Sequence, residues 1–129
     1  MDIDSHKKLI KEYYEVYKKI GYIECPVFNN ERIYFLKRGF RHLIWKGTNL
    51  RDISDQIERL NLLKYVPNIL KSIKSSKDLK ENHVFNPIGN TKVNFWSISY
   101  KNSQLQITVV IRQINDGPKH FFSVMKRYK

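Results

Sequence analysis

Residues 105–112, LQITVVIR, alternate with a period of two. Leu105, Ile107, Val109 and Ile111 fall on one side, and Gln106, Thr108 and Arg112 fall on the other with Val110. Only an extended strand sends successive side chains to opposite faces, so this run is a strand with one apolar face to cover. Its backbone groups then need partners on both sides. Asp116-Gly117 is a tight-turn signal, and residues 119–125 return from it as a closing strand. With the turn centred there, Arg112 faces Phe121 and Val110 faces Ser123. Residues 93–100, VNFWSISY, form the preceding strand, joined through a turn at 101–103. Trp96 and Tyr100 are expected to pack beneath helices.

The first two-thirds read as helices. Asp4 and Ser5 can cap a helix whose stripe is Leu9, Tyr13, Val16, Tyr17 and Ile20, with Gly21 as its stop. An extended stretch begins at Cys25-Pro26, and residues 32–36 (RIYFL) read as a short strand. Residues 38–47, RGFRHLIWKG, suit one or two helical turns closed by Gly47. Thr48 or Asn49 then caps a longer helix carrying Leu50, Ile53, Ile57, Leu60 and Leu63. Pro67 opens a further helix through Ile73. Residues 74–83 are polar and read as a solvated helix end or a loop. The expected fold is α+β: N-terminal helices followed by a three- to four-stranded antiparallel sheet meander, helices packed on one face. With 129 residues and no linker composition, the chain reads as one domain, 1–129.

Charge narrows the function. Lys and Arg number 24 against 12 Asp and Glu, a formal +12. Such an excess repels itself in the folded state and points to a negative partner, most simply nucleic acid. Cys25 is the only cysteine, so no intrachain disulfide can form, and it reads as a packing residue. The N-terminal MDIDSHKKLIKEYY has charges where a signal peptide needs an apolar core. No window approaches the ~20 apolar residues of a membrane span. These features predict a cytoplasmic protein without membrane contact, and the Lys, Ile and Asn bias suggests a bacterium with an AT-rich genome.

There is no glycine-rich phosphate loop, no GxSxG and no HExxH. His6, His42, His83 and His120 lack metal-ligand spacing, so neither a metal nor a cofactor is called for. Two clusters remain. The first runs from Arg32 to Arg51 and holds Arg32, Lys37, Arg38, Arg41, Lys46 and Arg51 with no acid among them, and His42 and Trp45 lie in its middle. On a helix, Arg38, Arg41, His42 and Trp45 stand three and four residues apart and can share a face. The second cluster is the polar face of the sheet: Gln106, Thr108, Arg112, Lys119, Phe121 and Ser123. His120 lies at the edge of the other face unless the register slips by one residue. Arginine offers permanently charged bidentate donors to phosphate oxygens, histidine titrates near neutral pH, and tryptophan stacks on bases. These are the parts of metal-independent RNA cleavage, in which a ribose 2′-hydroxyl attacks its own phosphate.

The order of elements adds a resemblance. The segments FLKRGFRHLIWKG and RDISDQIERLNLLKYVPNIL, then FWSISY, LQITVVIR and KHFFSVMKR, resemble the barnase–EndoU–colicin–RelE nuclease superfamily, particularly its phage and mobile-element branches. The likeness covers residues 31–129 as a nuclease-like core, with the helix within 1–21 as an addition. It implies a toxin-like endoribonuclease acting on tRNA, mRNA or another cellular RNA, together with an acidic antitoxin or immunity protein. His42 would match the family's embedded histidine, and Arg112 and Ser123 its polar strand residues. His120 is a further catalytic candidate; Arg38, Arg41, Lys46, Arg51, Thr108 and Lys119 are candidates for holding phosphates. Two other readings use the same residues: a non-catalytic RNA-binding protein, and an interaction protein that docks on an acidic partner.

Overall fold

The computed structural model describes residues 2–75, 77, 79–86, 89–101 and 104–127, and of these the side chains of 82–86 and 127 are not described. The fold is α+β. Its sheet is larger than the sequence implied: six strands in the spatial order 22–25, 31–34, 120–127, 106–114, 91–101 and 79–86, with one parallel pair.

Helix α1 (Ile3–Ile20) starts earlier than expected, because the Asp2 carboxylate accepts the Ser5 amide at 2.8 Å and so provides the cap. Gly21, at φ +69°, ends it. The helix is not an appendage. Tyr17 is 1% exposed and lies among Phe35, Phe40 and Phe121, its hydroxyl donating to the Leu36 carbonyl. Val16, expected in the apolar stripe, points outward. Strands β1 (Tyr22–Cys25) and β2 (Glu31–Tyr34) form a hairpin, and the Cys25 thiol is fully buried, which raises its pKa.

Helix α2 (Lys37–Ile44) is followed by a two-residue ladder, β3 (Trp45–Lys46) and β4 (Asn49–Leu50), which turns at Gly47 with φ +62°. This hairpin replaces the helix start expected at Thr48 or Asn49. Leu50 and Ile53 are therefore exposed rather than part of an apolar stripe. Helix α3 (Ile53–Leu62) passes through a short 3-10 turn into α4 (Val66–Ser72), with Pro67 in its first turn as expected.

The C-terminal half is a four-stranded antiparallel meander: β5 (Leu79–Asn86), β6 (Thr91–Lys101), β7 (Gln106–Ile114) and β8 (His120–Arg127). Strand β5 occupies residues expected to be a loop or helix end. The predicted turn at 101–103 lies largely outside the described residues. Strand β2 then joins β8 in parallel through Tyr34 and His120. The helices lie against the sheet's β1–β2–β8 end, α2 and α3 on β8 and α4 on β1. Ile33, Ile98, Ile107, Val109, Ile111, Phe121 and Val124 are among the sheet's core residues, and Tyr17, Leu43, Leu60, Val66 and Leu70 among those of the helices. Trp96 is buried as expected, whereas Tyr100 is 39% exposed.

One irregularity matters for function. Val110 pairs with Ser123 as expected, but the register then shifts, so that Ile111 pairs with Phe121 and Arg112 with His120. Phe122 is the extra, unpaired residue of a β-bulge. The expected pairing of Arg112 with Phe121 is thereby corrected: Phe121 goes to the core, and His120 comes to Arg112.

Candidate functional site

Helix α2 has Arg38, Arg41 and His42 spaced three and four residues apart, so they rise from the sheet along one side of the helix. Gly39 lets this helix approach β8 closely: a Cβ there would stand 2.4 Å from the Phe121 carbonyl oxygen. At that separation the His42 ring stacks on Phe122, with centroids 4.1 Å apart. The Arg112 guanidinium rests on the same ring at 4.5 Å. Arg38, Arg41, His42, Trp45, Gly47, Arg112 and Phe122 together line an open pocket of about 170 Å³. No carboxylate is among them. Helix α2 and the bulged strand thus bring Arg38, Arg41, His42 and Trp45 of the first cluster to Arg112 of the second.

Behind the pocket lies a charged brace. The β3–β4 hairpin returns the chain so that Arg51 lies beside α2. Its Nε donates to the His42 carbonyl at 2.9 Å, and a terminal nitrogen stands 3.3 Å from His42 Nε2. A guanidinium can only donate, so in this arrangement Nε2 accepts and the ring proton sits on Nδ1. Asp55 bridges Arg51 at 3.4 Å and Arg59 at 3.0 Å. Arg59 in turn donates to the Ser123 hydroxyl at 2.9 Å. Buried Gln56 donates to the Arg51 carbonyl and meets His6 of α1, which ties the first helix to the brace.

The arginines and the burial act on the imidazoles in the same direction. Desolvation first, then Arg51, Arg59, Arg112 and Lys46, lowers the His42 pKa to about 4. His120 is lowered mainly by burial and then by Arg112; Arg112 Nε donates to its Nε2 at 2.9 Å. Both shifts favour the neutral ring. Burial also lowers the Arg112 pKa, with Arg38 adding to the effect.

The other candidates divide by position. Arg38, Arg41 and Lys46 are exposed, the first two at the pocket itself. The Arg51 side chain is only 8% exposed, so it holds His42 rather than meeting solvent. Ser123 and His120 are buried and already engaged by Arg59 and Arg112. Thr108 is buried at 3% exposure and stands two strand positions further up from Val110. Lys119 pairs with Glu31 and lies over the Phe28 and Trp96 rings, away from the pocket. Phe122 and Asp55 were not singled out in the sequence. The i, i+4, i+8 spacing of Arg51, Asp55 and Arg59 was the available signal for the brace.

Among the described residues, no three His, Cys, Asp or Glu side chains come together as metal ligands. No helix among them is long and apolar enough to cross a membrane. No protein family, curated protein or solved structure matches the chain.

The depressed pKa has a consequence for stability. In the unfolded chain His42 takes up its proton near pH 6.5, whereas the folded ring resists it down to about pH 4. Between those values the unfolded state binds more protons, so stability rises with pH and is lost on acidification. The ring is half-buried and solvent screens its neighbours, so its share is about 1–2 kcal/mol. Melting temperatures from pH 7 down to 4 should fall, and His42→Gln should flatten that slope. An unchanged slope in the variant would show that His42 is not held neutral.

Proposed function

We propose that this protein is a metal-independent endoribonuclease of the toxin-like kind, working inside the cell on single-stranded regions of tRNA or mRNA. The observation that carries the reading is His42, kept neutral and half-exposed in a pocket with Arg38, Arg41 and Arg112 and no carboxylate. A neutral imidazole is the form a general base needs; its Nε2 accepts from Arg51 at 3.3 Å, a long contact that substrate must open before Nε2 takes up a proton. His42 takes the proton of a ribose 2′-hydroxyl as that oxygen attacks the adjacent phosphorus. Arg38, Arg41 and Arg112 hold the non-bridging oxygens, whose charge grows in the transition state. The 5′-oxygen leaves and is protonated by water at the open mouth of the pocket. Trp45 and Phe122 offer rings for the flanking base. Arg51, Asp55 and Arg59 position the base and its supporting strand. The resemblance to the barnase–EndoU–colicin–RelE superfamily supports this reading, with a histidine on a helix ahead of an antiparallel meander. An acidic antitoxin or immunity protein would fit the same basic face.

A second reading has its own support. His120 and Ser123 are buried and engaged, which leaves His42, among the described residues, as the one imidazole lining the pocket. A non-catalytic RNA binder would need no more than this.

Incubation of the protein with total bacterial RNA in excess EDTA separates the two. Discrete fragments ending in 2′,3′-cyclic phosphate are expected. Intact RNA accompanied by a salt-sensitive gel shift would instead assign a binding module.

A further inference from the structure

Next to the proposed site lies a second concavity, between α1 and α2. On α1, Lys7, Ile10, Lys11 and Tyr14 follow one another at three- and four-residue spacing, so they share a face. That face looks toward Lys37, Phe40, Arg41 and Trp45, and the groove between the helices encloses about 320 Å³. Its floor is apolar and largely aromatic, built from Ile10, Tyr14, Phe40 and Trp45. Its rim is cationic: Lys7, Lys11, Lys37 and Arg41, all exposed, with no acid among the lining residues.

Arg41 and Trp45 line this groove and the His42 pocket alike. The Arg41 guanidinium lies 5.1 Å from the centre of the Trp45 ring, so a cation and a stacking surface form the partition between the two. An aromatic floor under a rim of lysines is the pattern by which proteins hold single-stranded nucleic acid, with bases on rings and phosphates on cations.

We infer that the α1–α2 groove is a second nucleotide subsite, which takes the base of a residue flanking the scissile bond and holds its phosphates on Lys7 and Lys11. This rests on the reading that RNA occupies the His42 pocket. At about 320 Å³ the groove lies at the small end of ligand-pocket sizes and suits one nucleotide. The subsite makes the enzyme select unpaired RNA, since a base within a duplex cannot enter an aromatic groove. It also gives α1 a role in substrate binding.

The test uses the full chain and fluorescein-labelled 2′-O-methyl oligonucleotides, which bind but cannot be cut, so the result is independent of catalysis. Anisotropy would compare a single-stranded decamer with a dinucleotide, for the wild type, for Lys7→Glu/Lys11→Glu, and for Lys64→Glu/Lys71→Glu. The last is a control with the same change in net charge at exposed lysines outside the groove. The groove variant should bind the decamer at least ~10-fold more weakly, and its log–log salt slope should fall by about 1.4, the loss of two single-strand phosphate contacts. Its dinucleotide affinity should stay within ~2-fold of wild type, and the control should keep most of the decamer affinity. Equal losses in both variants would reduce the effect to net charge and overturn the subsite. So would wild-type decamer binding by Lys7→Glu/Lys11→Glu. Quenching of tryptophan fluorescence by an acidic peptide but not by the decamer would give the groove to a protein partner instead. If the wild type binds neither oligonucleotide, the RNA reading of the adjacent pocket fails as well, whereas binding without cleavage of unmodified RNA removes only the ribonuclease reading.

Discussion

Gly39→Ala should destabilise the protein by about 3 kcal/mol and lower its melting temperature by roughly 10 °C. The sign runs against the usual rule, since replacing glycine by alanine inside an open helix stabilises it by up to about 1 kcal/mol. Here the added methyl has no room. It would stand 2.4 Å from the Phe121 carbonyl oxygen, 2.7 Å from the Tyr17 hydroxyl and 2.9 Å from Phe121 Cδ2. The first of these is backbone in the middle of the sheet, and Tyr17 and Phe121 are both fully buried, so none can give way cheaply. The helix must lift off β8 instead. That movement would carry Arg38, Arg41 and His42 with it, so the variant should lose RNA handling even where it stays folded. Thermal unfolding followed by circular dichroism measures the first effect. A Gly39→Ala variant as stable as the wild type would mean that α2 does not sit on β8 at this distance.

The same glycine shows where sequence reading stops. The segment RGFRHLIWKG marks a short helix by its apolar spacing, and its cations mark it as an anion-binding element. Nothing in it says that Gly39 is a contact point, because the neighbour that makes it one lies some eighty residues away in the chain. Strand β7 was legible by its period of two, and β8 by the Asp116-Gly117 turn that precedes it. Strand β5 was not. Its residues LKENHVFN carry too many polar groups to show a buried face, and it is a strand because β6 offers its backbone a partner. The parallel joining of β2 to β8 depends on two segments that are remote in sequence, for which no local pattern exists.

The site divides along the same line. Arg38, Arg41, His42 and Trp45 were visible as a basic, acid-free cluster at helical spacing, and Arg112 as a cation on a strand face that needed none. Their meeting depends on the bulge. Phe121 and Phe122 are chemically alike, so no local pattern tells which of them enters the core and which carries His42 and Arg112 on its ring. That one-residue shift, which the sequence left open, turns His120 from an edge residue into the buried partner of Arg112. Arg51 changes role as well. Its charge was readable as phosphate-binding, but its side chain is spent on His42 and Asp55.

His42→Ala should lower cleavage by ~10²–10⁴-fold, the range for loss of a general base, while changing stability little because the ring is only half-buried. Arg112→Lys should cost about 10²-fold: it keeps a positive charge but loses the planar fork that holds His120 and a phosphate together. The two variants differ in their pH behaviour. In the free protein burial, and after it the surrounding arginines, hold the His42 pKa at about 4, so the acid limb of kcat/KM should fall there. A bound phosphodiester places negative charge among those arginines and raises the His42 pKa toward its ordinary value, so the acid limb of kcat should lie at higher pH. Arg112→Lys should keep this separation at a reduced rate, because the base is still present. His42→Ala should abolish the acid limb altogether, leaving a slow rate that follows hydroxide. Full cleavage by His42→Ala would remove the imidazole from the chemistry. Wild-type limbs at one common pH would mean that the phosphate does not bind among Arg38, Arg41 and Arg112.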